Sequence, residues 1–275
     1  MWVALSFTEE DVQEMKFMSA LLIALVIVTS LYQSQAAEEN LMVNMKTAVL
    51  SKHIFRGQER NKDIVSQSDV SIMRGGFHLD FRGLVDVEND NKNAGEMTEV
   101  NIDLGYESLL YKNARNKFMS EMSAVVGATH FAYPGVDKDG TTEVYVGVKG
   151  KTIWDLEPSL TWHYDVDEAN GSYIALDVKK TICLGKVEIF GKDFIVNTTG
   201  FAGLGWASED YNKYYWNVDE SCFSNYYVAA EIKFITERFE FGPEIRYEAL
   251  IDNDLRDVAK DDDHIIFGFS FGIKF

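Results

Sequence analysis

The strongest constraint on this chain is a period of two that recurs along most of its length. In the last twelve residues, HIIFGFSFGIKF, one file of large apolar side chains runs Ile265, Phe267, Phe269, Phe271, Ile273, Phe275. The other file is His264, Ile266, Gly268, Ser270, Gly272 and Lys274. Residues two apart share a face only in an extended strand, so this segment reads as β-structure and not as a helix. Trp154, Leu156, Pro158, Leu160, Trp162, Tyr164 and Val166 alternate in the same way with Asp155, Glu157, Ser159, Thr161, His163 and Asp165. So do Val100, Ile102, Leu104 and Tyr106 with Asn101, Asp103, Gly105 and Glu107. A further run sets Phe239, Phe241, Pro243, Ile245 and Tyr247 against Glu240, Gly242, Glu244, Arg246 and Glu248.

A soluble sandwich also alternates, with one face on its core and the other in water. Two features point instead to a membrane. The runs are ten to thirteen residues long, against about 5–6 for soluble strands and about 9–11 for a tilted membrane strand. Their apolar files carry aromatics near both ends, such as Trp154 with Tyr164 and Phe239 with Tyr247, where a strand would cross the two interfaces. Twelve strands are expected, at about 42–55, 65–73, 76–87, 97–109, 117–133, 141–150, 153–166, 172–182, 185–206, 224–236, 238–250 and 264–275. The connections alternate as well. RGQERNKDI, ENDNKNAGE, PGVDKDG, DVDEANG, ASEDYNKYYWNVDESC and DNDLRDVAKDDD are long and polar, whereas Arg74-Gly75, Lys151-Thr152, Cys183-Leu184 and Glu237 are tight, with YKNARNK the one longer exception. Long loops on one rim and short turns on the other suit a membrane barrel. The fold class expected is therefore all-β: a transmembrane, antiparallel, up-and-down β-barrel of about 12 strands, both termini on the short-turn side.

The N-terminus is read as a separate segment. Met15-Lys16 precedes the apolar run FMSALLIALVIVTSLY and then Ser34-Gln35-Ala36, the order of a cleavable secretory signal peptide. Residues 1–36 are assigned to that peptide, with translation starting at Met15, and residues 37–275 to the barrel. A net charge of −18 excludes nucleic acid as a partner, since no Lys/Arg cluster is present to release counterions.

Leu50-Ser51-Lys52-His53-Ile54-Phe55-Arg56-Gly57 and Gly76-Phe77-His78-Leu79-Asp80-Phe81-Arg82-Gly83 resemble the opening strands of the TorF-like family of outer-membrane porins. The resemblance is specific over residues 48–108, with His53 standing where that family has Tyr. It implies a bacterial outer-membrane barrel of similar size. The ending Phe271, Ile273, Phe275 likewise resembles the assembly signal of such barrels, which implies the barrel-assembly machinery and outer-membrane lipid as partners.

In a barrel the polar files face the lumen. The pore-lining candidates are Asp80, Arg82, Asp86, Asp103, Glu107, Asp155, Glu157, His163, Asp165, Glu244, Arg246 and Glu248, with Asn101, Glu143, Lys149, Glu231 and Lys233 beside them. Their acidic excess would favour cations in a water-filled lumen. The expected function is passive passage of small hydrophilic solutes across the bacterial outer membrane, with periplasmic termini. Twelve strands lie between the eight whose interior is just filled and the ~16–18 of open porins, so the alternative is a non-conducting barrel used for adhesion, surface protection or barrel enzyme work. No nucleophile context accompanies His163, so no enzyme is expected. Asp137-Lys138-Asp139-Gly140 and Asp261-Asp262-Asp263 lack the spaced ligands of a calcium loop, and no cofactor or metal site is expected. Cys183 is placed in a short turn and Cys222 at the opposite rim, about a membrane thickness away, so no disulfide is expected.

Overall fold

The computed structural model describes residues 40–88, 94–113, 118–135 and 138–275; the signal-peptide assignment and Met15 lie outside the described residues. β1 (Met42–Leu50) is followed by a short pair, β2 (His53–Phe55) and β3 (Gln58–Asn61), that hydrogen-bond only to each other. Then come β4 (Val65–Arg74), β5 (Phe77–Asp86), β6 (Met97–Lys112), β7 (Met119–Ala132), β8 (Thr141–Thr152) and β9 (Leu156–Asp165). The chain continues through β10 (Ser172–Ile189), β11 (Lys192–Ala207), β12 (Cys222–Ile235), β13 (Phe239–Leu250) and β14 (Asp263–Lys274). Two short helices, α1 (Glu209–Trp216) and α2 (Asn253–Val258), interrupt the β11–β12 and β13–β14 loops. No described helix is long and apolar enough to cross a membrane.

Each strand of the ring pairs antiparallel with its sequence neighbours, and β1 pairs with β4 on one side and β14 on the other. The closing register runs from Asn44 opposite Lys274 to Leu50 opposite Gly268. This is a closed barrel of twelve antiparallel strands. Closure leaves no unpaired edge, so nearly every backbone group of the wall is satisfied within the sheet, as a nonpolar surround requires.

The alternation explains which way each strand faces. Phe267 and Phe269 are 59% and 53% exposed, while His264 and Ser270 on the other file of β14 are 3% and 1% exposed. Ile102, Leu104, Val146, Val148, Leu160, Trp162, Val228 and Ile245 are exposed on the same outer surface. Outside is apolar and inside is polar, the inverse of a soluble domain and the arrangement of a transmembrane porin fold.

Three boundaries depart from expectation. β1 ends at Leu50, and residues 53–61 turn inward as the β2–β3 hairpin instead of lengthening the strand or lying over the rim. The β10–β11 turn is at Phe190-Gly191 (φ 52° and 73°), not at Cys183-Leu184. The register shifts between Cys183 and Gly185 (φ 129°) and pairing resumes at Gly185 opposite Val196, so the expected turn is only a bulge. Cys183 therefore lies within β10, and both it and Cys222 are free thiols. Asp155 departs too: it sits in the β8–β9 turn with φ 56°, exposed and paired to Lys151 at 3.4 Å.

Candidate functional site

The β2–β3 hairpin folds into the long-loop end of the lumen. Its two central residues, Arg56 and Gly57, both have positive φ (51° and 84°), the geometry of a tight primed turn. An arginine held there carries backbone strain, which persists only where surrounding contacts over-determine it. Those contacts are plain. The Arg56 guanidinium donates to both Glu143 oxygens at 2.6 and 2.8 Å and to the Tyr211 hydroxyl at 2.8 Å. Its carbon lies 4.1 Å from the Tyr173 ring centre. Burial alone would lower its hold on the proton, but the Glu143 carboxylate and the Tyr211 and Tyr173 phenols raise it well above the ordinary arginine value.

Arg60 repeats the arrangement on the neighbouring wall. It donates to Glu99 at 3.0 Å and to the Tyr133 hydroxyl at 2.7 Å, with its guanidinium 4.1 Å from the Phe55 ring centre. The Gly57 N–H donates to Glu248 at 2.7 Å, and Asn225 donates to the same oxygen at 2.8 Å. His264 stands 3.6 Å from Glu59. The hairpin thus reaches β6, β8, β12, β13 and β14, and Gln58 donates to the Tyr215 carbonyl of α1 at 2.7 Å. Helix α1 is set by Ser208, which accepts from the Tyr211 N–H, and ends at Asn217 in the left-handed conformation. That geometry turns Tyr211 inward, where it is 3% exposed.

Below the hairpin a cavity of about 690 Å³ runs down to Lys274 at the short-turn rim. Asp69, Asp80, Asp103, Glu143 and Glu240 line it against Lys46, Arg56, Arg82 and Lys274, with Asn101, Thr129 and His163 between them. Several of these groups are paired: Arg82 with Asp69 at 2.6 Å and Lys274 with Glu240 at 2.7 Å. A second cavity of about 420 Å³ at the same end is lined by Glu107, Lys149, Glu157 and Lys179. There too the charges pair, Lys149 with Glu107 at 2.8 Å and Lys179 with Glu157 at 2.9 Å.

Of the residues expected in the lumen, Asp80, Arg82, Asp103 and His163 come together on the larger cavity, and Glu107 and Glu157 on the smaller. Glu244 faces Lys46 at 3.8 Å. Arg246 pairs with Glu248 at 2.8 Å and lies 4.0 Å from the Tyr227 ring centre, beneath the hairpin. Asp86 and Asp165 are fully buried at the long-loop rim and line neither cavity. Asp165 accepts from the Thr141 hydroxyl and from the Asp167 and Ala169 N–H groups, and Asp86 accepts from the Glu88 N–H; both hold loop turns. Phe271 and Phe275 project outward and Ile273 is half-buried beside them. Sequence reading missed Arg56, Arg60, Tyr173 and Tyr211. The only signal was the Arg-Gly dipeptide that closes the first resemblance motif, inside a run whose polarity suggested solvent.

No protein-family model and no curated protein sequence matches the chain. Among solved structures it is similar to the NanC porin, with a TM-score of 0.47 and 11% identity, covering 85% of this chain and 100% of that one. It is similar also to the KdgM porin, with a TM-score of 0.46 and 7% identity over 85% of this chain and 99% of that one. LpxR from Salmonella typhimurium gives a TM-score of 0.45 and 9% identity over 84% and 99% of the two chains. Likenesses this distant concern the fold alone; they assign no substrate.

Proposed function

We propose that this chain is an exported porin-like barrel of the bacterial outer membrane, of the TorF-like group, that passes small hydrophilic solutes through a narrow lumen with preference for cations. On this reading residues 1–36 are removed, the short-turn rim and both termini face the periplasm, and the barrel-assembly machinery reads Phe271, Ile273 and Phe275. The observation that carries the reading is the charged cavity of about 690 Å³ inside the barrel. A barrel built only as a scaffold gains nothing from a polar void, because filling it would stabilise the wall. The cation preference rests on its lining, where the five carboxylates and four cations named above leave an acidic excess.

The β2–β3 hairpin favours a second reading, a barrel that stays closed and serves adhesion, surface protection or barrel enzyme work. Single-channel recording in planar bilayers separates the two. The open reading requires discrete steps from the folded chain and a reversal potential, under a salt gradient, of the sign for cations. Silence from both the native chain and a chain lacking residues 53–61 would establish the closed reading. Anion preference would remove the selectivity claim and leave passage intact.

A further inference from the structure

We propose that the lumen holds a binding site for one first-row divalent transition-metal ion, with His78, Asp80 and Asp103 as ligands. The barrel brings these residues together from two adjacent strands: a ligand atom from each lies within 4.8 Å of the others. Asp80 is directly opposite Asp103 in the β5–β6 register. Like charges placed opposite each other across strands repel, and the neighbouring cations are engaged elsewhere. Arg82 is bound to Asp69 at 2.6 Å and Lys149 to Glu107 at 2.8 Å. Among the described residues no hydrogen bond or ion pair reaches the Asp80 carboxylate, whereas Asp103 accepts from Tyr145 and Thr129 and contacts His78.

The Tyr145 hydroxyl donates to Asp103 Oδ1 at 3.0 Å and lies 3.0 Å from His78 Nε2, so it holds these two side chains in place. Two glycines make room for the His78 ring and the Tyr145 hydroxyl. A Cβ on Gly105 would come within 2.4 Å of His78 Nε2 and the Tyr145 hydroxyl, and one on Gly127 within 2.3 Å of that hydroxyl. Asp80, Asp103 and Thr129 all line the larger cavity, which supplies an entry path and open coordination positions. An imidazole with two carboxylates selects a borderline ion such as Zn²⁺ over Ca²⁺ or Mg²⁺, which take oxygen alone. On binding, the imidazole presents a neutral Nε2 and the contact proton between His78 and Asp103 leaves to solvent. The site is independent of whether the lumen conducts.

The test is calorimetric titration of the chelator-treated, folded chain in detergent with Zn²⁺ alone, then with Ca²⁺. One Zn²⁺ per chain is expected, weakened at least tenfold by Asp80→Asn and by His78→Gln. His130→Gln, which removes only the ring bound to the Thr142 hydroxyl, should leave binding unchanged. Heat-modified gel mobility checks that each variant is a folded barrel. Asp80→Asn decides the matter alone if His78→Gln does not fold, because Asp80 has no partner to lose. The proposal is overturned by absence of Zn²⁺ binding, by native affinity in Asp80→Asn, or by loss of binding in His130→Gln. Ca²⁺ bound as tightly as Zn²⁺ overturns the ion class.

Discussion

Arg56 shows how one side chain can anchor a hairpin inside a barrel. Its partner Glu143 is 1% exposed, so removing the guanidinium leaves a buried carboxylate without its cation. Arg56→Ala should cost about 3–5 kcal/mol, read as a lower midpoint in urea unfolding of vesicle-inserted barrel. The double change Arg56→Met with Glu143→Leu removes both charges and should cost clearly less, because replacing a buried pair by apolar groups is often near neutral. Equal losses in the two variants would mean that the pair is not the source of the effect. At the other end, Phe275 is 71% exposed on the outer face. Replacing it by Asn should lower the yield of assembled barrel in outer-membrane fractions while the unassembled chain accumulates. The thiols offer a check on register. Cys183 is exposed and Cys222 buried, so a polar maleimide should label Cys183 first in the folded barrel. A non-reducing map linking the two cysteines within one chain would refute the strand order.

The element that decides access is the β2–β3 hairpin. It is held by ion pairs and hydrogen bonds to the wall and by aromatic packing, with the Phe55 ring centre 5.6 Å from that of Phe131. Gly57 is its tightest point: φ is +84°, and a Cβ there would meet Leu250 Cδ2 at 2.6 Å. Gly57→Ala should therefore displace the hairpin and raise the conductance of the reconstituted barrel above that of the native chain. Deleting residues 53–61 should raise it further. Unchanged conductance in the deletion would show that the hairpin is no barrier. The same element marks the limit of strand reading. Residues 42–50 alternate and pair as expected, but His53-Ile54-Phe55 carries equal β-propensity and belongs to another sheet. Propensity specifies extension; it does not name the partner strand. In β10 the reverse occurs: Cys183-Leu184 reads as a turn, yet the strand runs on to Ile189 while β9 stops pairing at Lys180 opposite Leu156.

For the whole molecule, twelve strands enclose enough space for a charged cavity and for one folded-in hairpin. Conductance from the native chain, if carried by the acidic lining, should favour cations most at low salt. It should lose that preference as ionic strength rises and screening shortens to a few ångströms. A reversal potential independent of ionic strength would count against charges on the lumen wall as its source.

Period-two alternation along strands such as 100–107, 154–166, 239–248 and 264–275 determined the inward and outward faces, because residues two apart share a face, and together with strand length and aromatic ends it pointed to a twelve-strand barrel. The regular exchange of long and short connections determined which rim carries the loops. Tertiary structure alone decided that Arg56 and Arg60 enter the lumen, that Asp86 and Asp165 cap loops, and that His78, Asp80 and Asp103 converge. Those outcomes depend on contacts between residues far apart in sequence, such as Gly57 with Glu248, 191 positions away. Local patterning encodes the direction of a side chain, and only closure of the ring brings its partner across.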